Sequence, residues 1–186
     1  MTSQAPPMQG TTMDIEQVLQ FWFGERINSA TPSAKANLWW RKQPEVDQQI
    51  REDFADGLRD LAEGKYRDWL HSARGRLAAI IVLDQFSRNM YRDRPEAFAQ
   101  DKLALGWCLE GLEDNIDLQL EPIERVFFYL PLEHSEDKTT NCRMITELEK
   151  LDAKIKAEKP ELYEDSAKGH IEILMKFAKS HNETIM

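Results

Sequence analysis

The chain has 186 residues, with 33 acidic against 24 basic side chains and a formal net charge of −9. That length suits one domain with an ample core, and the acidic balance argues against a uniform nucleic-acid or anionic-membrane surface while leaving room for a local basic pocket. Cys108 and Cys142 have neither a second Cys nor a His at metal-ligand spacing, the N-terminus lacks a basic segment followed by an apolar run, and no stretch approaches 18 apolar residues; the expectation is a reduced cytoplasmic chain, neither secreted nor membrane-spanning.

Residues 1–12, with Pro6, Pro7 and Gly10 and few apolar side chains, read as a disordered tail, and residues 13–186 as a single helical domain. Ile15, Val18, Leu19 and Trp22 follow helical spacing up to a stop at Gly24. Thr31 followed by Pro32 reads as a cap and first-turn proline for a second helix delivering Trp39 and Trp40. Pro44 repeats the device, with Glu45 and Asp47 complementing the helix dipole and a stripe of Val46, Ile50, Phe54, Leu58 and Leu61 that ends at Gly64.

Trp69 and Leu70 close a connector and Ser72 can cap the next helix, although Gly75, which costs about 1 kcal/mol relative to alanine inside a helix, predicts a start just after it. From Leu77 to Leu83 this helix has no polar face, so it is central and buried. Pro95 opens a helix presenting Phe98, Leu105, Cys108, Leu109 and Leu112, terminated at Asn115. Pro122 opens another, which Pro131 must kink or end. Cys142, Ile145, Leu148, Leu151 and Ile155 mark a long amphipathic helix, and Pro160 opens the last, with Tyr163, Ala167, His170, Ile171, Leu174, Phe177 and Ala178 along its stripe. No window alternates as a half-buried strand does, so the fold class is all-α, with about seven helices in antiparallel pairs joined by short links.

Chemistry concentrates in two places. In the central helix Asp84 and Arg88, Gln85 and Asn89, and Arg88 and Arg92 are each four residues apart and meet on one surface. The plainer account ties neighbouring helix ends together through the two arginines, neutralised by Asp84; the alternative makes them a fork for a carboxylate or phosphate. The second place is Glu133 to Asp137. There Ser135 reads as an N-cap with Glu136 and Asp137 as first-turn acids, or His134 forms a metal corner or acid/base dyad with the carboxylates around it. A zinc site would need further ligands at regular spacing, and none is expected here. His170 falls on an apolar face, where a histidine is more often a satisfied core residue than a ligand, yet a last helix packed on the central one would point it at Asp84. The candidate pocket is therefore Asp84, Arg88, Asn89, Arg92, His134, Glu136, Asp137 and His170, with no metal and no cofactor. Phosphate-loop, nucleophile-elbow and Cys-x-x-Cys patterns are absent.

The blocks FWFG (Phe21 to Gly24), WW (Trp39, Trp40), LDQFSRNMYR (Leu83 to Arg92), AFAQD (Ala97 to Asp101) and FFYLPLEHSED (Phe127 to Asp137), in this order, resemble bacterial domain-of-unknown-function family 924. The resemblance implies an all-α fold of the tetratricopeptide-like class and no established reaction. It also implies that a histidine like His170 is followed by Phe-Gly-Arg-Phe-Pro-His-Arg-Asn, where this chain reads Lys176, Phe177, Ala178, Lys179, Ser180, His181, Asn182. Any pocket the family builds at that end is expected to be incomplete here.

Two functional readings result. The preferred one is a helical protein- or peptide-binding module, which predicts a groove with apolar anchors. The alternative is an enzyme or binder acting on a small anionic metabolite, with Arg88 and Arg92 clamping the anion, His134 or His170 as acid/base, and Asp84 orienting one of them. Neither involves nucleic acid or a membrane.

Overall fold

The apolar run Leu77 to Leu83 is buried at every position, and this element is the hub of the fold. The computed structural model describes residues 12–24, 33–158, 171–172, 174–176 and 179–180. Its helices are α1 (Ile15–Phe23), α2 (Ser33–Trp40), α3 (Pro44–Ala62), α4 (Ala73–Ile80), α5 (Ser87–Met90), α6 (Asp101–Glu113), α7 (Pro122–Glu133) and α8 (Lys138–Glu158). Between α4 and α5 the chain does not break: Ile81–Phe86 is a π-helical turn, so α4, the π turn and α5 form one rod. α1, α6 and α7 pack on α4; α3, α6 and α7 pack on the π turn; and α3 also covers α5. Among the described residues there is no strand, and no helix is long and apolar enough to cross a membrane.

Local chemistry sets the ends. Asp14 caps α1 by accepting from the Gln17 amide at 2.9 Å, and Gly24 ends it at a φ of 80°. Gly64, at a φ of 84°, follows the last turn of α3, and Asn115 takes the left-handed conformation after α6. Pro44 and Pro122 occupy first-turn positions, where their missing N–H is no loss. Glu121 and Glu124 complete a capping box on α7.

Aromatic rings lock the hub to its neighbours. Phe86 meets Phe54 at 4.6 Å and Trp22 at 5.6 Å between ring centroids, while Phe127 meets Trp22 at 5.6 Å and Trp39 at 4.7 Å. Rings from α1, α2, α3, the π turn and α7 thus share one cluster, in geometries worth about 0.5–1.5 kcal/mol per pair beyond area burial.

Several expectations need correction. α4 begins at Ala73, two residues before Gly75, and Ser72 caps it by accepting from the Gly75 amide at 3.1 Å. Gly75 is there because a β-carbon would lie 2.2 Å from the Trp69 carbonyl oxygen, so the connector leaves no room for one. Pro95–Phe98 is a 3₁₀ turn that buries Ala97 and leaves Phe98 60% exposed, so Phe98 is outside the core and α6 starts only at Asp101. Pro131 lies within the last turn of α7, which continues past it to Glu133. Asp137, not Ser135, caps α8, accepting from the Thr140 amide at 2.8 Å and its hydroxyl at 2.9 Å. The first eleven residues of the expected tail, the Thr31–Pro32 start, the Pro160 start and His170 lie outside the described residues.

Candidate functional site

The π turn carries Asp84, whose side chain has no solvent exposure. A carboxylate taken out of water in this way needs hydrogen-bond donors on its lone pairs, and it has three. Gln85 Nε2 donates to Oδ2 at 2.6 Å, Arg88 Nη1 to Oδ1 at 3.0 Å, and His134 Nδ1 lies 2.7 Å from Oδ1. Gln85 and Arg88 come from the same rod. His134 is delivered by the C-terminal end of α7, where its own amide donates to the Leu130 carbonyl.

Arg88 does more than pair with Asp84. Its Nη1 also donates to the Asp84 backbone carbonyl at 3.0 Å, and its fork takes both oxygens of Asp101, the first residue of α6, at 2.8 and 3.0 Å. Its guanidinium carbon lies over the Phe98 ring, 5.3 Å from the centroid. On the far side of His134, Nε2 is 3.3 Å from Glu133 Oε2, and about a fifth of the imidazole side chain is exposed. Asn141 in the first turn of α8 donates from Nδ2 to the Glu133 carbonyl at 3.4 Å.

The electrostatics follow from these contacts. Burial pushes the Asp84 carboxyl up, but the His134 imidazolium, Arg88 and the Gln85 amide pull it down further, so it is held below the ordinary carboxylate range. Burial likewise works against a charged His134, yet the Asp84 carboxylate outweighs it and holds the imidazole above its ordinary value. Each partner thus favours the charged form of the other.

Asn89 and Arg92 belong to a different cluster. Arg92 donates from Nε and Nη2 to the two oxygens of Asp47 on α3, both at 2.7 Å, and Asn89 Nδ2 adds a third bond to Oδ1 at 2.8 Å. Burial raises the Asp47 carboxyl, but Arg92 and Asn89 bring it below its usual value. Glu136 is exposed, and Asp137 is spent on its cap. Of the eight candidates, then, Asp84, Arg88 and His134 meet; Asn89 and Arg92 sit on α3's side of the rod; Glu136 and Asp137 stand on the α7–α8 link.

Asp47, Asp101 and Phe98 are neighbours that sequence reasoning did not single out. Asp47 carries a weak signal, an acid in a helix first turn, but that placement is explained without any partner; Asp101 carries none, since a helix opened at Pro95 would put it beyond the first turn. Phe98 carried the wrong one, since a phenylalanine near helical spacing reads as core. A further buried network, Arg125 Nη2 to Asp117 Oδ2 at 3.1 Å and the Tyr129 hydroxyl to the same oxygen at 2.6 Å, ties the 3₁₀ turn Ile116–Gln119 to α7. Burial pushes the Tyr129 phenol up, so it serves as a fixed hydrogen-bond donor. Among the described residues no group of three or more His, Cys, Asp or Glu side chains is disposed to hold a metal ion.

No curated protein matches the chain. Among solved structures, the protein of unknown function ATU0120 from Agrobacterium tumefaciens is similar in fold, with a TM-score of 0.72 and 24% sequence identity, over 92% of this chain and 81% of that one. Residues 18–182, the helical body and both charge clusters included, match the family described as "Bacterial protein of unknown function (DUF924)", and the chain belongs to that family.

Proposed function

We propose that this chain binds a small organic ligand at the His134 corner and exchanges a proton or a charged hydrogen bond with it, His134 acting as donor and Asp84 as its orienting counter-ion. One contact carries this reading: the Nδ1 of a partly exposed imidazole stands 2.7 Å from a carboxylate that has no exposure of its own. A carboxylate behind Nδ1 fixes the ring and leaves Nε2 as the nitrogen available to a substrate, a pairing of acid/base and orienter that recurs on unrelated folds. Placement of the carboxylate in a π-helical turn adds weight, because such turns are found frequently at functional sites. The Asp84 carboxylate holds the His134 imidazole above its ordinary value, a direction that favours a donor at this corner.

Arg88 and Arg92 take a supporting part. Their forks are filled by Asp101 and Asp47, so each fixes a helix junction, and the ligand has no need to be anionic. A partner-binding module of the tetratricopeptide-like class is the second reading. It is favoured by α7 and α8, which pack along each other after a link of only residues 134–137, but it leaves the ionised cluster without a purpose.

The test is a thermal-shift screen of a metabolite library against the wild type and His134→Gln. Compounds that raise the wild-type melting temperature and leave the variant unmoved support the proposal. A library with no such compound, or hits that stabilise both proteins equally, refutes it.

A further inference from the structure

We infer that the outward side of α6 is a self-association surface, on which a second copy of this chain packs antiparallel with Gly106 at the crossing point. Glycine inside a helix is less favourable than alanine, and every other described glycine has a visible reason. Gly24 and Gly64 lie at φ of 80° and 84°. A β-carbon would lie 2.4 Å from Met13 Sδ at Gly57, 2.2 Å from the Trp69 carbonyl oxygen at Gly75, and 2.7 Å from both Arg76 Cδ and Phe128 Cζ at Gly111. At Gly106, in the middle of α6, φ is not positive and a β-carbon would meet nothing within 4 Å. One copy of the chain supplies no reason for this residue; the close approach of a second helix backbone does.

The face around Gly106 is complementary to itself. With 3.6 residues to the turn, Lys102, Leu103, Leu109, Glu110 and Glu113 all lie within about 60° of Gly106 around the helix axis. Lys102, Glu110 and Glu113 are exposed, and Leu103, Gly106 and Leu109 are half-buried. Ala104, Trp107, Cys108, Gly111 and Leu112, on the side that packs on α4 and α7, are buried. A two-fold axis at Gly106 brings a residue any number of places before it level with the residue as many places after it on the other copy. Lys102 comes level with Glu110 of the partner subunit, and Leu103 with Leu109 of the partner subunit, and each pair occurs twice. Helices in contact run about 8–10 Å apart, so both pairs are within side-chain reach, and the missing β-carbon at Gly106 admits the shorter end of that range.

Charge selects both the occupant and its direction. Glu110 has a side chain 61% exposed that reaches Arg76 at a long 3.3 Å, so it is available to a lysine from outside. A parallel pairing would set Lys102 against Lys102 of the partner subunit and Glu110 against Glu110 of the partner subunit, like charges in both cases, and the antiparallel sense replaces them with opposite ones. The seam from Lys102 to Glu110 is about 12 Å long. That is short of what a standard interface of about 800 Å² per partner requires, so the association is weak and depends on concentration.

Sedimentation velocity on the full chain from about 10 μM to about 1 mM tests the association, and cysteine cross-linking tests its register. The wild type is expected to self-associate in that range. Gly106→Leu weakens the association by about tenfold or more and leaves the melting curve of dilute protein no lower, because nothing in the chain obstructs the new side chain and leucine favours a helix. Lys102→Glu weakens it by about tenfold, and adding Glu110→Lys restores it to within about threefold; Arg76 keeps the Trp107 and Leu70 carbonyls in that double variant. In a Cys142→Ser background, which removes the exposed native thiol, Gly106→Cys is expected to give a disulfide-linked dimer under mild oxidation, since the residue on the two-fold axis meets its own copy. Glu113→Cys, on the same face but about 21 Å from its copy, is expected to give none. A wild type that stays monomeric at about 1 mM, an association unmoved by Gly106→Leu, a double charge variant no better than Lys102→Glu, or cross-linking through Glu113→Cys in place of Gly106→Cys overturns the inference.

Discussion

Asp84→Asn changes the charge of the central cluster with little change in shape. The native carboxylate is fully enclosed and is met by Gln85, Arg88 and His134 at 2.6, 3.0 and 2.7 Å. Removing one member of a buried ion pair costs roughly 3–5 kcal/mol when its partner is stranded. Arg88 is not stranded, because it keeps both oxygens of Asp101, and His134 relieves itself by releasing its proton. The loss therefore falls to about 1.5–3 kcal/mol, the range for hydrogen bonds to charged groups, or a melting temperature lower by about 3–12 °C in a chain of this length. The dependence on pH has a definite sign. Asp84 is held below its ordinary value, so its contribution is present above about pH 4 and is lost as pH falls through its native value. His134 is held above its ordinary value, so its contribution is complete below about pH 6.5 and is lost as pH rises through its native value. The gap between wild type and variant should be widest between about pH 5 and 6 and should narrow, without closing, as pH rises through the native value of His134, because Arg88 and Gln85 still hold the carboxylate. Urea melts followed by far-ultraviolet circular dichroism at acidic, neutral and alkaline pH measure the gap. A gap that stays flat across that range, or one below about 1 kcal/mol at the acidic end, refutes a buried carboxylate paired with an imidazolium.

Gly75→Ala drives a methyl onto the Trp69 carbonyl oxygen at 2.2 Å and the Ser72 hydroxyl at 2.8 Å; overpacking of this kind costs about 1–3 kcal/mol in the same melts, where a helix-propensity argument alone predicts a gain of about 1 kcal/mol. Arg92→Ala strips Asp47 of its bidentate partner and leaves only Asn89, so stability drops by about 1.5–3 kcal/mol, and Arg92→Lys, which cannot reproduce the fork, recovers less than half of it. Cys108 is fully buried and its thiol is pushed up by burial, whereas Cys142 is exposed; iodoacetamide at mildly alkaline pH should label Cys142 in minutes and Cys108 only on unfolding, as read by peptide mass.

How far the fold was legible depended on what kind of signal each residue carries. A run such as Leu77 to Leu83 cannot sit on a surface, so the hub could be read outright, and Gly24, Gly64, Pro44, Asn115 and Pro122 punctuate the chain where glycine, proline and asparagine are conformationally favoured. Spacing, however, says which side chains share a helix face and nothing about which helix lies opposite. For that reason Asp84, Arg88, Arg92 and His134 stood out as polar residues in apolar surroundings, while their partners Asp47 and Asp101 did not. Gly75 shows the same limit from the other side: its propensity cost is visible in the sequence, but the carbonyl that requires it belongs to a connector whose path only the fold defines. The π turn left no mark at all, because Ile81, Val82 and Leu83 are as suitable for an i→i+4 ladder as for an i→i+5 one.

That turn also separates packing from purpose. A turn bonded i→i+5 takes up one residue more than an α turn, so it accommodates an extra residue while α4 and α5 keep facing their own neighbours. Deleting Val82 lets the rod close as a regular helix with α4 still packed on α1 and α6 and α5 still on α3, whereas deleting Ala78 from the regular part rotates everything after it by about 100°. If the turn exists to set the Asp84 carboxylate on His134, the Val82 deletion should fold, with a stability loss near that of a single large-to-small core change, about 2–4 kcal/mol, and the His134 imidazole should return to titrating near its ordinary value by NMR. The Ala78 deletion should not fold. Equal loss of structure in both deletions would mean that the π turn is held by packing alone, and a His134 titration unchanged from the wild type in a folded Val82 deletion would mean that the Asp84 contact never depended on it.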